Sequence, residues 1–283
     1  MVFLIAILLG LVQGLCEFLP VSSSGHLFLV STLSQNAVNE DYFGSFFTVM
    51  LHVATLIAVL IVYREQVLAI LKKPFQKLTL HLILATLPTI AFALILKKWD
   101  ALDEWLDAGN LLGVSFLLTA AFLTVSELMC RMRKPRKSIE TMRWTDALVI
   151  GGMQAIGVLP GVSRSGSTIA GAVGMRIDRK SAADFSFLLS IPAILGGMVL
   201  EIMKLIKDPN ALSNVMNLPF WGLLLLAMLV AAISGYFAVR FMIRLVTSKG
   251  LLGFAIYTGV LGVIVILLQI FGVAGFGFTP FGG

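Results

Sequence analysis

The phrase Gln13-Gly14-Leu15-Cys16-Glu17-Phe18-Leu19-Pro20-Val21-Ser22-Ser23-Ser24-Gly25-His26 places a carboxylate, three hydroxyls and an imidazole inside an apolar stretch. Such groups are expensive to bury in lipid, and within a hydrophobic segment they mark a functional site. Gln13 and Glu17 stand four residues apart, on one helix face. Pro20 ends that helix, and Ser22, Ser23 or Ser24 can cap the next one. A helix N-terminus ringed by hydroxyls suits an oxyanion, phosphate above all. Glu17 can take a proton, hold a divalent cation through oxygen, or do both in sequence. His26 can orient or activate a serine hydroxyl as general base.

A related phrase returns later as Gln154-Ala155-Ile156-Gly157-Val158-Leu159-Pro160-Gly161-Val162-Ser163-Arg164-Ser165-Gly166-Ser167-Thr168. The guanidinium of Arg164 is always charged and forks onto phosphate oxygens in two-point contacts. Ser163, Ser165, Ser167 and Thr168 surround it with further donors. The two phrases read as halves of one oxyanion site, one bringing the carboxylate and the other the positive charge. His52 and His81 lie in apolar runs without polar company and read as packing or interfacial residues. Cys16 and Cys130 show neither a paired framework nor metal-ligand spacing.

The elements that must hold these phrases are membrane helices. The chain has 283 residues, 58% hydrophobic and 13% charged, with mean hydropathy +0.97. Soluble domains carry about 25% charged residues, so a soluble fold is excluded. Six apolar runs approach the roughly 20 residues a spanning helix needs. They fall at about Phe43–Tyr63, Leu78–Leu96, Leu111–Met129, Phe185–Met203, Leu218–Phe241 and Leu251–Phe271. The two phrases lie outside these runs, in segments of about 1–33 and 145–175 that are broken by Pro20 and Pro160.

If both broken segments are re-entrant hairpins, the loops alternate sides. Lys and Arg then divide sixteen to four, the four being Lys97, Lys98, Lys204 and Lys207, with Arg164 alone in neither set. That asymmetry places the basic loops, including Arg131–Arg143, inside and both termini outside. The net charge of +6 is therefore a matter of topology, not of nucleic-acid binding. The expected fold is all-α and polytopic, a single membrane domain over 1–283. It comprises six transmembrane helices plus two re-entrant helical hairpins in an inverted-topology repeat, 1–143 against 144–283. In such plans broken helices meet near the midplane and form the binding site.

The two phrases resemble those of the bacterial undecaprenyl-diphosphate phosphatases of the BacA (UppP) family. That family pairs an E/Q-x-x-x-E-F-L-P-V-S-S-S/T-G-H segment with a P-G-x-S-R-S-G-x-T segment. Gln13, Glu17 through His26, Pro160, Gly161, Ser163 through Gly166 and Thr168 carry the match here. The resemblance implies a multi-pass hydrolase of the bacterial inner (cytoplasmic) membrane that acts on a polyprenyl diphosphate. Its product would be the phosphorylated lipid carrier for cell-wall precursors, and the family is associated with bacitracin resistance. The functional residues it implies are Glu17, Ser23, His26 and Arg164, assisted by a divalent cation, Mg2+ or Ca2+. Many members have Glu where this chain has Gln13, so a two-carboxylate metal site is not available.

The expected chemistry is phosphoryl transfer in a pocket opening to the outer side, a reaction that asks mainly for positioning and charge stabilisation. Glu17, with Gln13 as a second oxygen ligand, would hold the cation. Gln13, Ser22, Ser24, Ser163, Ser165, Ser167 and Thr168 would contact substrate. The nucleophile is either Ser23 activated by His26 or a water activated by Glu17. The partners expected are the lipid substrate and membrane lipid, with a homodimer allowed. The rival is a polyprenyl-phosphate transporter on the same inverted plan. A PAP2-type lipid phosphatase is excluded, because the sixth residue after Arg164 is Ala170 and no histidine follows His81.

Overall fold

Twelve helices make up the described part of this computed structural model, which covers residues 2–34, 44–96, 98–207, 218–248, 250–273 and 276. They are α1 (Val2–Phe18), α2 (Ser23–Ser34), α3 (Ser45–Val62), α4 (Arg64–Lys72), α5 (Lys77–Leu96) and α6 (Asp100–Asp107). The others are α7 (Leu112–Met132), α8 (Trp144–Ile156), α9 (Arg164–Gly174), α10 (Arg179–Lys207), α11 (Leu218–Ser248) and α12 (Leu252–Ile270). Six of them, α3, α5, α7, α10, α11 and α12, are long and apolar enough to cross a membrane. These are the six runs expected. Helix α10 begins six residues before its apolar run, because Arg179 and Lys180 extend it through a charged first turn. Lys97 and Lys249, counted in the charge asymmetry, fall outside the described residues.

Each broken segment forms two helices joined at its proline. At about 1.5 Å per residue, the 12, 13 and 11 residues of α2, α8 and α9 are too short for a hydrocarbon core of roughly 30 Å. The two turns are built alike. Ser22 Oγ accepts from Gly25 N at 3.1 Å, and Ser163 Oγ accepts from Gly166 N at 3.0 Å. Each cap satisfies one of the backbone donors that a helix start leaves open. The second turn passes through Gly161 at φ +85°, a conformation natural to glycine. The first passes through Ser22 at φ +72°, where a side chain is strained.

Helix α1 lies against α11, and α8 lies against α5, so each broken segment packs on a span from the other half of the chain. Small residues make both contacts close. A Cβ at Gly10 would stand 2.3 Å from the Ala227 carbonyl oxygen, and one at Gly151 would stand 2.3 Å from that of Ala85. Without water to squeeze out, helices in lipid associate through just such close approach. The largest buried cluster, including Phe18, Phe185, Phe187 and Leu188, lies beside the first proline turn and anchors it. Phe187 meets Phe18 edge-on, with ring centroids 5.7 Å apart.

Candidate active site

The tips of the two helical pairs touch. Gly161 N donates to Ser24 Oγ at 3.3 Å, and Ser165 Oγ donates to the Leu19 carbonyl at 3.3 Å. These bonds bring the last turn of α1 and the first residues of α2 and α9 to one point. Glu17 occupies it.

Glu17 is 6% exposed and is held from four directions. Arg164 forms an ion pair with Oε1. Oε2 accepts from Ser23 Oγ at 2.6 Å and from Gln13 Nε2 at 3.0 Å. His52 Nε2, from α3, stands 3.5 Å from the same oxygen. A buried carboxylate is tolerable only when paired and hydrogen-bonded, and here both of its oxygens are engaged. Ser23 and Arg164 are each the first residue of their helix, following the capping serine. The same register in two turns thus aims a hydroxyl and a guanidinium at one carboxylate.

Beside this cluster opens a cavity of about 770 Å³. Ser22, Ser23, Ser24, Ser163 and Arg164 form its polar end, together with Glu17 and His52. Helices α5 and α10 supply an apolar wall that includes Ile90, Leu94, Leu195 and Val199. Those four side chains are also exposed, so this wall is not packed over by other helices. For a divalent cation, the protein offers one carboxylate and the buried Oε1 of Gln13, which has no partner. Among the described residues, no group of three or more His, Cys, Asp and Glu side chains could hold a metal. The donors fit a hard cation that brings most of its oxygens with it, from phosphate and water, rather than an all-protein cage.

Of the residues anticipated from sequence, Glu17, Ser22, Ser23, Ser24, Ser163 and Arg164 line the cavity, while Gln13 is fully buried, off the cavity, and bonded to Glu17. His26 does not reach Ser23. Its Nδ1 lies 2.7 Å from the Ser22 carbonyl and its Nε2 lies 2.7 Å from Tyr257 Oη, so both nitrogens are engaged and neither faces the serine. The hydrogen-bond acceptor beside Ser23 is Glu17 Oε2. Ser165, Ser167 and Thr168 line no part of the cavity. Ser167 and Thr168 bond back to the Arg164 carbonyl at 2.9 Å, and Thr168 also meets Ser186 at 2.5 Å. Their hydroxyls stabilise the start of α9 and its packing.

His52 is the residue that sequence reasoning missed, having been read as lacking polar company. Thr48, His52 and Thr55 fall at i, i+4 and i+7, a polar stripe on one face of an apolar helix, and that spacing was the available signal. Gln154 was noted only as part of the repeat, yet it lines the cavity and donates to Thr89 Oγ1 at 3.0 Å. His81 is buried, with Nδ1 unpartnered.

Residues 6–264 match the family described as bacitracin resistance protein BacA. The chain is 39% identical over 264 residues to an undecaprenyl-diphosphatase of Carboxydothermus hydrogenoformans, covering 93% of this chain and 96% of that protein. It is also 39% identical to undecaprenyl-diphosphatase 4 of Bacillus thuringiensis and 37% identical to undecaprenyl-diphosphatase 3 of Bacillus cereus, again over 93% of this chain and 96% of each relative. The paired proline turns, the carboxylate they enclose and this full-length similarity converge: the chain belongs to the BacA family.

Proposed function

We propose that this protein is an integral membrane phosphatase that hydrolyses undecaprenyl diphosphate to undecaprenyl phosphate and inorganic phosphate. One observation carries the reading beyond family membership. A cluster of groups suited to phosphate closes one end of a cavity whose other wall is apolar and built from exposed side chains of α5 and α10. A lipid with a charged head and a hydrocarbon tail matches that division, with the tail leaving between α5 and α10.

In the resting arrangement Arg164 is held by Glu17. An arriving diphosphate offers the guanidinium a stronger, two-point partner, which frees the carboxylate to act as a base. Ser23 Oγ then attacks the terminal phosphorus while its proton passes to Glu17, 2.6 Å away. The bond from that phosphorus to the bridging oxygen breaks, and the lipid monophosphate leaves with the electron pair. Water next attacks that phosphorus, the Ser23 Oγ–P bond breaks as Glu17 returns its proton to Oγ, and the water's protons leave on the departing phosphate. A divalent cation would be held by Glu17 and Gln13 Oε1 and would neutralise diphosphate oxygens.

Most cavity-lining residues of α3, α5 and α10, among them Val49, Thr89, Leu94, Leu195 and Val199, sit in the halves of those helices remote from the basic loops. With the sixteen-to-four charge asymmetry this supports a pocket opening to the outer face of the inner membrane. The matching turns, and the crossed packing of α1 on α11 and α8 on α5, support two re-entrant hairpins in an inverted repeat.

The test is phosphate release from undecaprenyl diphosphate by purified protein in liposomes, with rapid quenching to trap label on Ser23. Phosphate release with a labelled serine in wild type, lost in Ser23→Ala, is expected. Lipid crossing the bilayer without phosphate release would instead establish a transporter.

A further inference from the structure

Tyr257 lies on α12, 231 residues from His26 in sequence, and lines no part of the cavity. Its hydroxyl is 2.7 Å from His26 Nε2, and the two rings stack at 5.7 Å with planes 15° apart. Phe116 meets the imidazole edge-on, with ring centroids 5.5 Å apart.

The proton positions follow from the partners. The Ser22 carbonyl can only accept, so His26 Nδ1 carries the hydrogen of that 2.7 Å bond. In the neutral ring Nε2 is then a bare acceptor, and Tyr257 donates to it. The relay ends on Ser22, whose carbonyl also accepts the His26 backbone N–H at 3.2 Å. Ser22 is the strained turn residue at φ +72°, and Ser23 follows it directly. A backbone held in a sparsely populated conformation beside a reacting group persists only where its surroundings over-determine it. Here the His26 ring and backbone N–H both bond the Ser22 carbonyl, Tyr257 holds the ring, and Gly25 N bonds the Ser22 hydroxyl.

We infer that Tyr257 is a positioning residue that acts through His26 and the Ser22 carbonyl to aim the Ser23 hydroxyl at Glu17. This rests on the reading of Ser23 as the attacking group.

The experiment measures kcat, KM and the pH–rate profile for Tyr257→Phe, His26→Asn and the double variant. Farnesyl diphosphate in detergent micelles is the substrate, and thermal melts serve as the folding control. Phenylalanine keeps the stacking and removes only the hydroxyl. Asparagine keeps a donor near the position of Nδ1 and cannot act as a base. Tyr257→Phe should lower kcat about three- to tenfold with KM within about twofold, as expected for one hydrogen bond. The double variant should be no slower than His26→Asn alone, because both changes break one relay. The pH–rate profile should keep its shape in all three. Wild-type kcat in Tyr257→Phe, fully additive losses, or a KM effect without a kcat effect would overturn the inference. Loss of an ionisation limb in His26→Asn would overturn it in favour of a His26 base. Full activity in Ser23→Ala would instead defeat the underlying assignment of the nucleophile, whatever Tyr257 does.

Discussion

Ser23 Oγ donates to Glu17 Oε2 across 2.6 Å, and Gln13 donates to that same oxygen from one helical turn earlier. The carboxylate therefore joins two neighbours whose removal should have unequal effects.

Glu17→Gln removes both the proton acceptor and the charge partner of Arg164, and activity should be abolished. Gln13→Ala removes one hydrogen bond and should slow turnover about tenfold, equivalent to about 1–1.5 kcal/mol. Gln13→Glu should be tolerated and should tighten the apparent affinity for the cation. Phosphate release titrated against Mg2+ or Ca2+ measures all three. Near-full activity in Glu17→Gln with a dead Gln13→Ala would sink the role given to Glu17.

Arg164→Lys retains the charge but not the fork. It should fold, keep its melting temperature within a few degrees, and lose about a hundredfold in kcat/KM. A well-folded lysine variant with wild-type turnover would show that Arg164 acts only as a countercharge.

His52 Nδ1 lies 2.8 Å from the Thr48 carbonyl and so donates to it, which leaves Nε2 able to donate to Glu17 only when the ring is protonated. His52→Ala should reduce kcat about tenfold, through loss of its contact with Glu17. An unchanged kcat would assign His52 to packing alone.

Gly14 is pressed against α11. A Cβ there would lie 1.9 Å from Ser234 Oγ and 2.5 Å from the Ala231 carbonyl oxygen. Gly14→Ala should destabilise the protein by about 1–3 kcal/mol through overpacking. Ser234→Gly should recover only part of this, since the carbonyl remains. Thermal unfolding in detergent reads both effects, and full rescue would mean that the serine alone sets the spacing.

Cysteines placed at Ala108 and Lys134, in a background lacking Cys16 and Cys130, probe the orientation. An impermeant thiol reagent should label Ala108→Cys in intact cells and leave Lys134→Cys untouched. The reverse pattern overturns the assignment of faces.

The spans were legible because hydropathy and the placement of Lys and Arg are local quantities. The proline turns were legible because Pro20, Pro160 and their serines punctuate otherwise apolar sequence. What a sequence does not carry is the direction of a side chain one turn away. His26 stands three residues from Ser23, yet its ring turns towards Ser22 and Tyr257. Ser167 and Thr168 flank Arg164 closely, yet they bond to its carbonyl instead of sharing its pocket. His52 was hidden for the opposite reason: its partner Glu17 lies two helices earlier, and only the packing of α3 beside the first turn joins them.

The crossed packing of α1 on α11 carries a consequence for how the protein is made. The ribosome delivers α1 and Glu17 well before Arg164, and earlier still than α11. For most of translation the first helical pair therefore holds an uncompensated carboxylate and a glycine-notched surface with nothing seated in it. Such a segment is a poor guest for lipid until its late-arriving neighbours appear. Docking of α11 onto Gly10 and Gly14 is thus a closing event in biogenesis, and truncation before Leu218 should leave an N-terminal fragment that quality-control proteases recognise.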